Sequence, residues 1–136
     1  MNAPRAAALF LVGLLLLVVS ACGYGDEPAP PASSESAAAS SAPVPAGEAL
    51  DLIADGASSI DVRTRAEFDA GHLDGAINID VQEADFEKRV SELPREASYV
   101  VYCASGRRAT GAVDRMVELG FTDVVNGGGY DDLTQG

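Results

Sequence analysis

The chain has 136 residues, enough for one compact domain. Its 9 Lys+Arg against 21 Asp+Glu give a formal charge of −12. That excludes an ordinary nucleic-acid binder, because displacing phosphate counterions takes Lys and Arg.

In chain order, Arg5 is followed by an apolar run over residues 6–19. A bilayer-spanning helix needs roughly 20 apolar residues, so the run is short for a span and fits a secretory signal peptide. It ends Val19-Ser20-Ala21-Cys22, with Gly23 next, and this resembles a bacterial lipobox. The resemblance implies that residues 1–21 are a lipoprotein signal peptide and that Cys22 becomes the acylated first mature residue. The domain is then expected on the extracytoplasmic side of the cell envelope, held to the membrane by its lipid. Removing Arg5 gives a mature charge of 8 − 21 = −13. Residues 22–46 read as this cysteine plus an Ala/Pro/Ser-rich linker with five of the seven prolines within 26–45. Such a composition cannot repay the entropy of ordering, and the expectation is a disordered, partly polyproline tether. Pro43 and Pro45 permit an edge strand at most, short or absent.

Residues 47–136 form the domain, and strand and helix signals alternate along it. A helical face near 47–55 carries Leu50, Ile53 and Ala54. A short strand follows at 59–62, a helical turn capped by Thr64 that stops at Gly71, and a second strand at 76–79. Residues 81–93 read as a helix ended by Pro94, with Phe86, Val90 and Leu93 inward. Residues 98–102, Ser-Tyr-Val-Val-Tyr, are the clearest strand. A helix over 108–119 has Ala109, Ala112, Val113, Met116 and Val117 inward and Gly120 at its end. A strand at Val124-Val125 and an Asn126-Gly127-Gly128-Gly129 turn complete the pattern. No final helix is expected before Gly136, and Tyr130 and Leu133 are expected to cover the core instead. Alternating strands and helices predict an α/β domain with a mainly parallel sheet covered on both faces.

The two cysteines are Cys22 and Cys103. With Cys22 acylated, Cys103 is a lone thiol on an exported chain, either reactive or buried as a small hydrophobe. Its context is strand, Cys103, a tight Ala104-Ser105-Gly106 loop, then Arg107 and Arg108 opening a helix. Ligands of open α/β sheets bind beyond the carboxyl ends of strands. A helix N-terminus there offers backbone N–H groups and a positive dipole end that favour a thiolate. Gly106 allows a positive φ, and the two arginines suit an anion. A plain core cysteine is the alternative.

These residues resemble the rhodanese family. Cys103-Ala104-Ser105-Gly106-Arg107-Arg108 is similar to its Cys-x-x-Gly-x-Arg active-site loop. Ile60-Asp61-Val62-Arg63, then Glu67-Phe68 and Gly71-His72-Leu73-Asp74-Gly75-Ala76, resemble its upstream signature. Leu119-Gly120-Phe121 with Gly127–Gly129 resembles its usual ending. The resemblance covers about residues 47–134 and implies a three-layer fold with a five-stranded, mainly parallel sheet. It also implies sulfurtransferase chemistry, in which Cys103 takes a sulfane sulfur from a small anionic donor such as thiosulfate. The resulting persulfide passes sulfur to cyanide or a thiol. Ala104, Ser105, Gly106, Arg107 and Arg108 would bind the donor, and no cofactor or metal is implied. Two other classes stay open: a sulfane carrier or sensor, and a Cys-based phosphatase or arsenate reductase. The six-residue loop argues against the second, whose loop has seven.

His72 reads as a hydrogen-bonded turn residue and not a base or ligand, since no second ligand stands at metal spacing. Arg63 and Glu67, four apart, are placed to pair, and Asp61 and Arg63 are expected to support the loop. No amphipathic surface calls for an obligate dimer, so a monomer is expected. The domain itself carries 8 − 18 = −10, a background that repels anionic donors everywhere except near Arg107 and Arg108.

Overall fold

The computed structural model describes residues 38–135. The expected signal peptide, Cys22 and the tether as far as residue 37 lie outside them. The elements are β1 (Ser40–Pro43), α1 (Ala46–Ala54), β2 (Ser58–Asp61), α2 (Arg65–Ala70), β3 (Ile77–Asn78), α3 (Phe86–Ser91), β4 (Tyr99–Cys103), α4 (Arg107–Glu118), β5 (Val124–Gly129) and α5 (Tyr130–Thr134). The strands form one five-stranded sheet in the order β1-β5-β4-β2-β3, parallel throughout. The α/β, three-layer architecture is therefore the one expected.

Strand β4 lies at the centre, and all five of its residues are buried. Side chains alternate across a strand, so Tyr99, Val101 and Cys103 enter one core, and Val100 and Tyr102 enter the other. The first core lies under α3 and α4 and includes Ile60, Val62, Phe86, Val90, Val113 and Met116. The second holds Ala49, Val125 and Leu133 beneath α1 and α5. Helix α4 buries Ala109, Ala112, Val113 and Met116, the i, i+3, i+4, i+7 stripe that sets its orientation. Val117, expected inward, is 45 % exposed, one step beyond the width of that stripe. Truncating a fully enclosed side chain such as Phe86 should cost about 3–5 kcal/mol.

Four local expectations are corrected. Ser40–Pro43, counted in the tether, forms the short edge strand that Pro43 and Pro45 left room for, β1, against β5. Pro43 is tolerated because it closes the strand, and the ladder continues through Val44 N–H to Asn126 O at 2.9 Å. Residues 81–85, read as helix, are turns. Asp80 accepts from Gln82 N–H at 2.9 Å, and the next bonds, Glu83 N–H to Asp80 O and Phe86 N–H to Glu83 O, span three residues. The glycine turn is instead the end of β5. Its register on β4 slips between Val101↔Asn126 and Tyr102↔Gly128, leaving Gly127 as an extra residue. A Cβ on Gly127 would lie 2.6 Å from Val100 Cγ1, so no side chain fits. Finally, a short helix does follow, α5, and it carries the buried Leu133.

Candidate active site

Cys103 is the last residue of β4 and is fully buried. The chain then passes through exposed Ala104 and Ser105 to Gly106, whose φ of 78° is the left-handed N-cap of α4. A Cβ at Gly106 would meet Gly128 Cα at 3.2 Å, so glycine is required by conformation and by space together. Gly129 closes the loop from the strand side, where a Cβ would lie 2.9 Å from Ala104 O.

The first turn of α4 leaves backbone donors over. Thr110 N–H bonds Gly106 O at 2.9 Å. Among the described residues, the N–H groups of Arg107, Arg108 and Ala109 find no acceptor. These donors point back along the helix axis toward the loop, at the positive end of the dipole. A loop with a cysteine at its mouth and free N–H groups at its far end suits an anion or a polarisable sulfur.

The two arginines have different surroundings. Arg107 is exposed and makes no ion pair among the described residues. Arg108 is clamped by Glu67, Nη1 to Oε2 at 2.9 Å and Nη2 to Oε1 at 2.7 Å. The Arg108 bond is the main reason that Glu67 is lowered to about 2, with bonds from Thr64 adding to it. Arg108 is raised above its usual range chiefly by Glu67 and, less, by the nearby Cys103. Glu67 is held in place by a capping box: Thr64 N–H donates to its carboxylate while Glu67 N–H donates to Thr64 Oγ1. The Thr-x-x-Glu spacing was visible in the sequence, and the partner 41 residues away was not.

The expected Arg63–Glu67 pair does not form. Arg63 turns to Asp61, with Nε to Oδ1 at 3.0 Å and Nη2 to Oδ2 at 2.7 Å, and Nη2 also donates to Gly71 O at 2.6 Å. Asp61 Oδ1 further accepts the Arg63 N–H at 2.9 Å. At the end of β2 this two-residue reach is shorter than a helical turn. The hydrogen bond to Asp61 raises Arg63 above the normal guanidinium range. Its guanidinium lies 4.2 Å from the Tyr130 ring centroid. Asp61 and Arg63 thus tie β2 to the Gly71 turn and to α5. His72 has the turn role expected of it: Nδ1 lies 2.9 Å from Phe68 O, and its ring stacks on Phe68 at 3.7 Å.

Sequence reasoning missed Asn126. It is fully buried, and its Nδ2 donates to Gly106 O, Thr110 Oγ1 and Ser41 O, each at 3.0 Å. Its Oδ1 accepts Gly128 N–H at 2.9 Å. Asn126 opens a run of glycines that reads as a turn, so no local signal marked it as a strand residue facing the loop.

Comparison with known proteins agrees with this geometry. Residues 45–135 match the family model described as a rhodanese-like domain. The thiosulfate sulfurtransferase PspE of Escherichia coli is 37 % identical over 75 residues, 54 % of this chain and 71 % of that one. A human single-domain sulfurtransferase superposes with a TM-score of 0.56 at 31 % identity, covering 68 % of this chain and 95 % of that one. A rhodanese-related protein from Thermoplasma volcanium gives a TM-score of 0.60 at 27 % identity, over 68 % and 90 % of the two chains. The family match spans most of the chain and contains strands β2 to β5 and the loop that follows the central strand. The chain belongs to the rhodanese family of sulfurtransferases.

Proposed function

We propose that the chain moves sulfane sulfur from a small anionic donor, such as thiosulfate, to cyanide or a thiol through a persulfide on Cys103. The observation that carries this is the placement of Cys103 beneath a loop whose helix-side N–H groups have no internal acceptor. In the first step the Cys103 thiolate attacks the outer sulfur of thiosulfate. The donor's S–S bond breaks, and sulfite leaves with the bonding pair. In the second step cyanide or a thiolate attacks the terminal sulfur of the persulfide. That S–S bond breaks in turn, restoring the Cys103 thiolate and releasing thiocyanate or a hydropersulfide. The cycle needs no outside oxidant or reductant and is ping-pong, with one covalent intermediate.

The backbone N–H groups from Ala104 to Arg108 hold the persulfide and the departing anion. Arg107, free in solution, and Arg108, held by Glu67, orient the donor. The buried Asp61–Arg63 pair ties β2 to the Gly71 turn and α5, a supporting role off the substrate.

The test is thiocyanate release from thiosulfate plus cyanide, with p-nitrophenyl phosphate hydrolysis run alongside. Wild type should release thiocyanate and leave the phosphate ester intact; Cys103→Ser should abolish transfer. Phosphate ester hydrolysis without sulfur transfer overturns the proposal in favour of a phosphatase. A persulfide seen by mass spectrometry without turnover makes the chain a carrier. The lipobox-like Val19-Ser20-Ala21-Cys22 supports a domain outside the cytoplasm on an acylated Cys22, a monomer on a tether. Globomycin should leave a heavier precursor, and an unshifted band sinks the anchor.

A further inference from the structure

Behind the loop, one side-chain amide joins the first turn of α4 in holding the Gly106 carbonyl. Gly106 O receives three donors: Thr110 N–H at 2.9 Å, Thr110 Oγ1 at 3.2 Å and Asn126 Nδ2 at 3.0 Å. In a planar trans peptide the C=O and the following N–H point in opposite directions. Fixing Gly106 O toward Asn126 therefore aims Arg107 N–H away from β5, and this is one of the N–H groups with no internal acceptor. Gly106 sits at φ 78°, which glycine adopts without steric penalty, so hydrogen bonds to its carbonyl set the orientation of this peptide. Asn126 is itself immobile. Its Oδ1 is held by Gly128 N–H across the bulge, and its Nδ2 also bonds Ser41 O in β1. Asn126 follows Val124 on the alternating pattern of β5 and so lies on the α4 side of the sheet, the side that Cys103 enters.

We propose that Asn126 is a positioning residue for the reaction, locking the Gly106–Arg107 peptide so that Arg107 N–H is aimed at the sulfur carried by Cys103. The role rests on the sulfur-transfer reading given above. It acts through the loop, and Asn126 does not touch the substrate. Because the same amide holds Ser41 O, the closing of edge strand β1 and the shape of the loop are set together.

Asn126→Asp keeps the shape and the acceptor for Gly128 N–H, but turns an acceptor toward Gly106 O, Thr110 Oγ1 and Ser41 O. Losing one fixed donor to a developing anion typically costs a hundredfold or more, about 10²–10³ in kcat. A donor misaimed and not deleted should cost less, so kcat/KM for thiosulfate is expected to fall about tenfold. Two other readouts separate aim from folding. In the folded fraction, the KM for thiosulfate should rise, and iodoacetamide alkylation of Cys103 should need a higher pH. Wild-type KM and an unchanged alkylation profile in the folded fraction overturn the proposal.

Should Asn126→Asp not fold, Thr110→Val carries the test, since it removes one partner of Asn126 and one donor to Gly106 O from a half-buried position. It should raise the pH needed for alkylation, with a smaller loss of kcat/KM; an unaltered profile overturns the proposal. If wild type forms no persulfide with thiosulfate, the sulfur-transfer reading fails by itself. The alkylation profiles of the variants then still decide whether Asn126 sets the loop.

Discussion

Two ion pairs flank the loop, and they differ in burial. Arg63 and Asp61 have side chains 7 % and 0 % exposed, whereas Arg108 and Glu67 are 27 % and 35 % exposed. Both pairs are bidentate, with shortest contacts of 2.7 Å. Taking two charges out of water is costly, so a buried pair holds together mainly because neither partner can be left alone. A half-exposed pair is worth little to stability, and its charge is felt instead by whatever binds nearby. The inner pair is therefore a matter of folding, and the outer pair a matter of the site's electrostatics.

The largest effect should come from breaking the inner pair. Asp61→Ala leaves a buried guanidinium unpaired and should cost about 3–5 kcal/mol in denaturant unfolding; a loss under about 1 kcal/mol would make the two pairs alike. Breaking the outer pair should behave differently. Glu67→Gln should cost about 1 kcal/mol or less. It frees Arg108, so KM for thiosulfate should fall about two- to fivefold, the size of one charge contact in high dielectric. A raised KM would mean that Glu67 serves by holding Arg108 in place.

Acid sharpens the contrast. Glu67 has a folded value of about 2 against an ordinary 4.5. A lowered carboxylate contributes its full stabilisation above the ordinary value and loses it as pH falls through the folded one. The outer pair's share should then fade between about pH 4.5 and 2, and the difference between wild type and Glu67→Gln should vanish across that window. A difference that persists at the acid end argues for a non-ionic role. The smallest effect is that of salt. At low ionic strength the domain's net negative charge repels anionic donors at long range; salt shortens that range to a Debye length of about 8 Å near 0.15 M, so modest salt should raise rates with thiosulfate. A steep fall would show that Arg107 and Arg108 dominate the approach.

What could be read from the sequence follows the range of the interactions. Residues 98–102 and 108–119 announce themselves through a β-branched and aromatic run and a helical stripe, and these two elements fix the loop between them. Gly106 was legible because a tight strand-to-helix turn needs its conformation. The pairing of Arg63 was misassigned because helix spacing was applied to residues that straddle a strand end. The glycines of β5 looked like a turn, since low strand propensity hides pairing that is imposed by β4 and by the space available. Glu67–Arg108 and Asn126–Gly106 join residues far apart in sequence, and no local pattern signals either.

Both edges of the sheet are blunt. On one side β3 has only two residues, and Arg89 Nη2 occupies Asn78 O at 2.8 Å. On the other, β1 is four residues long, has an irregular register and ends in a proline that offers no N–H. Neither side presents a long row of unused donors and acceptors to template a neighbour. Copies crowded together on a surface would therefore meet without recruiting one another into a shared sheet, and a high local density carries little risk of strand exchange.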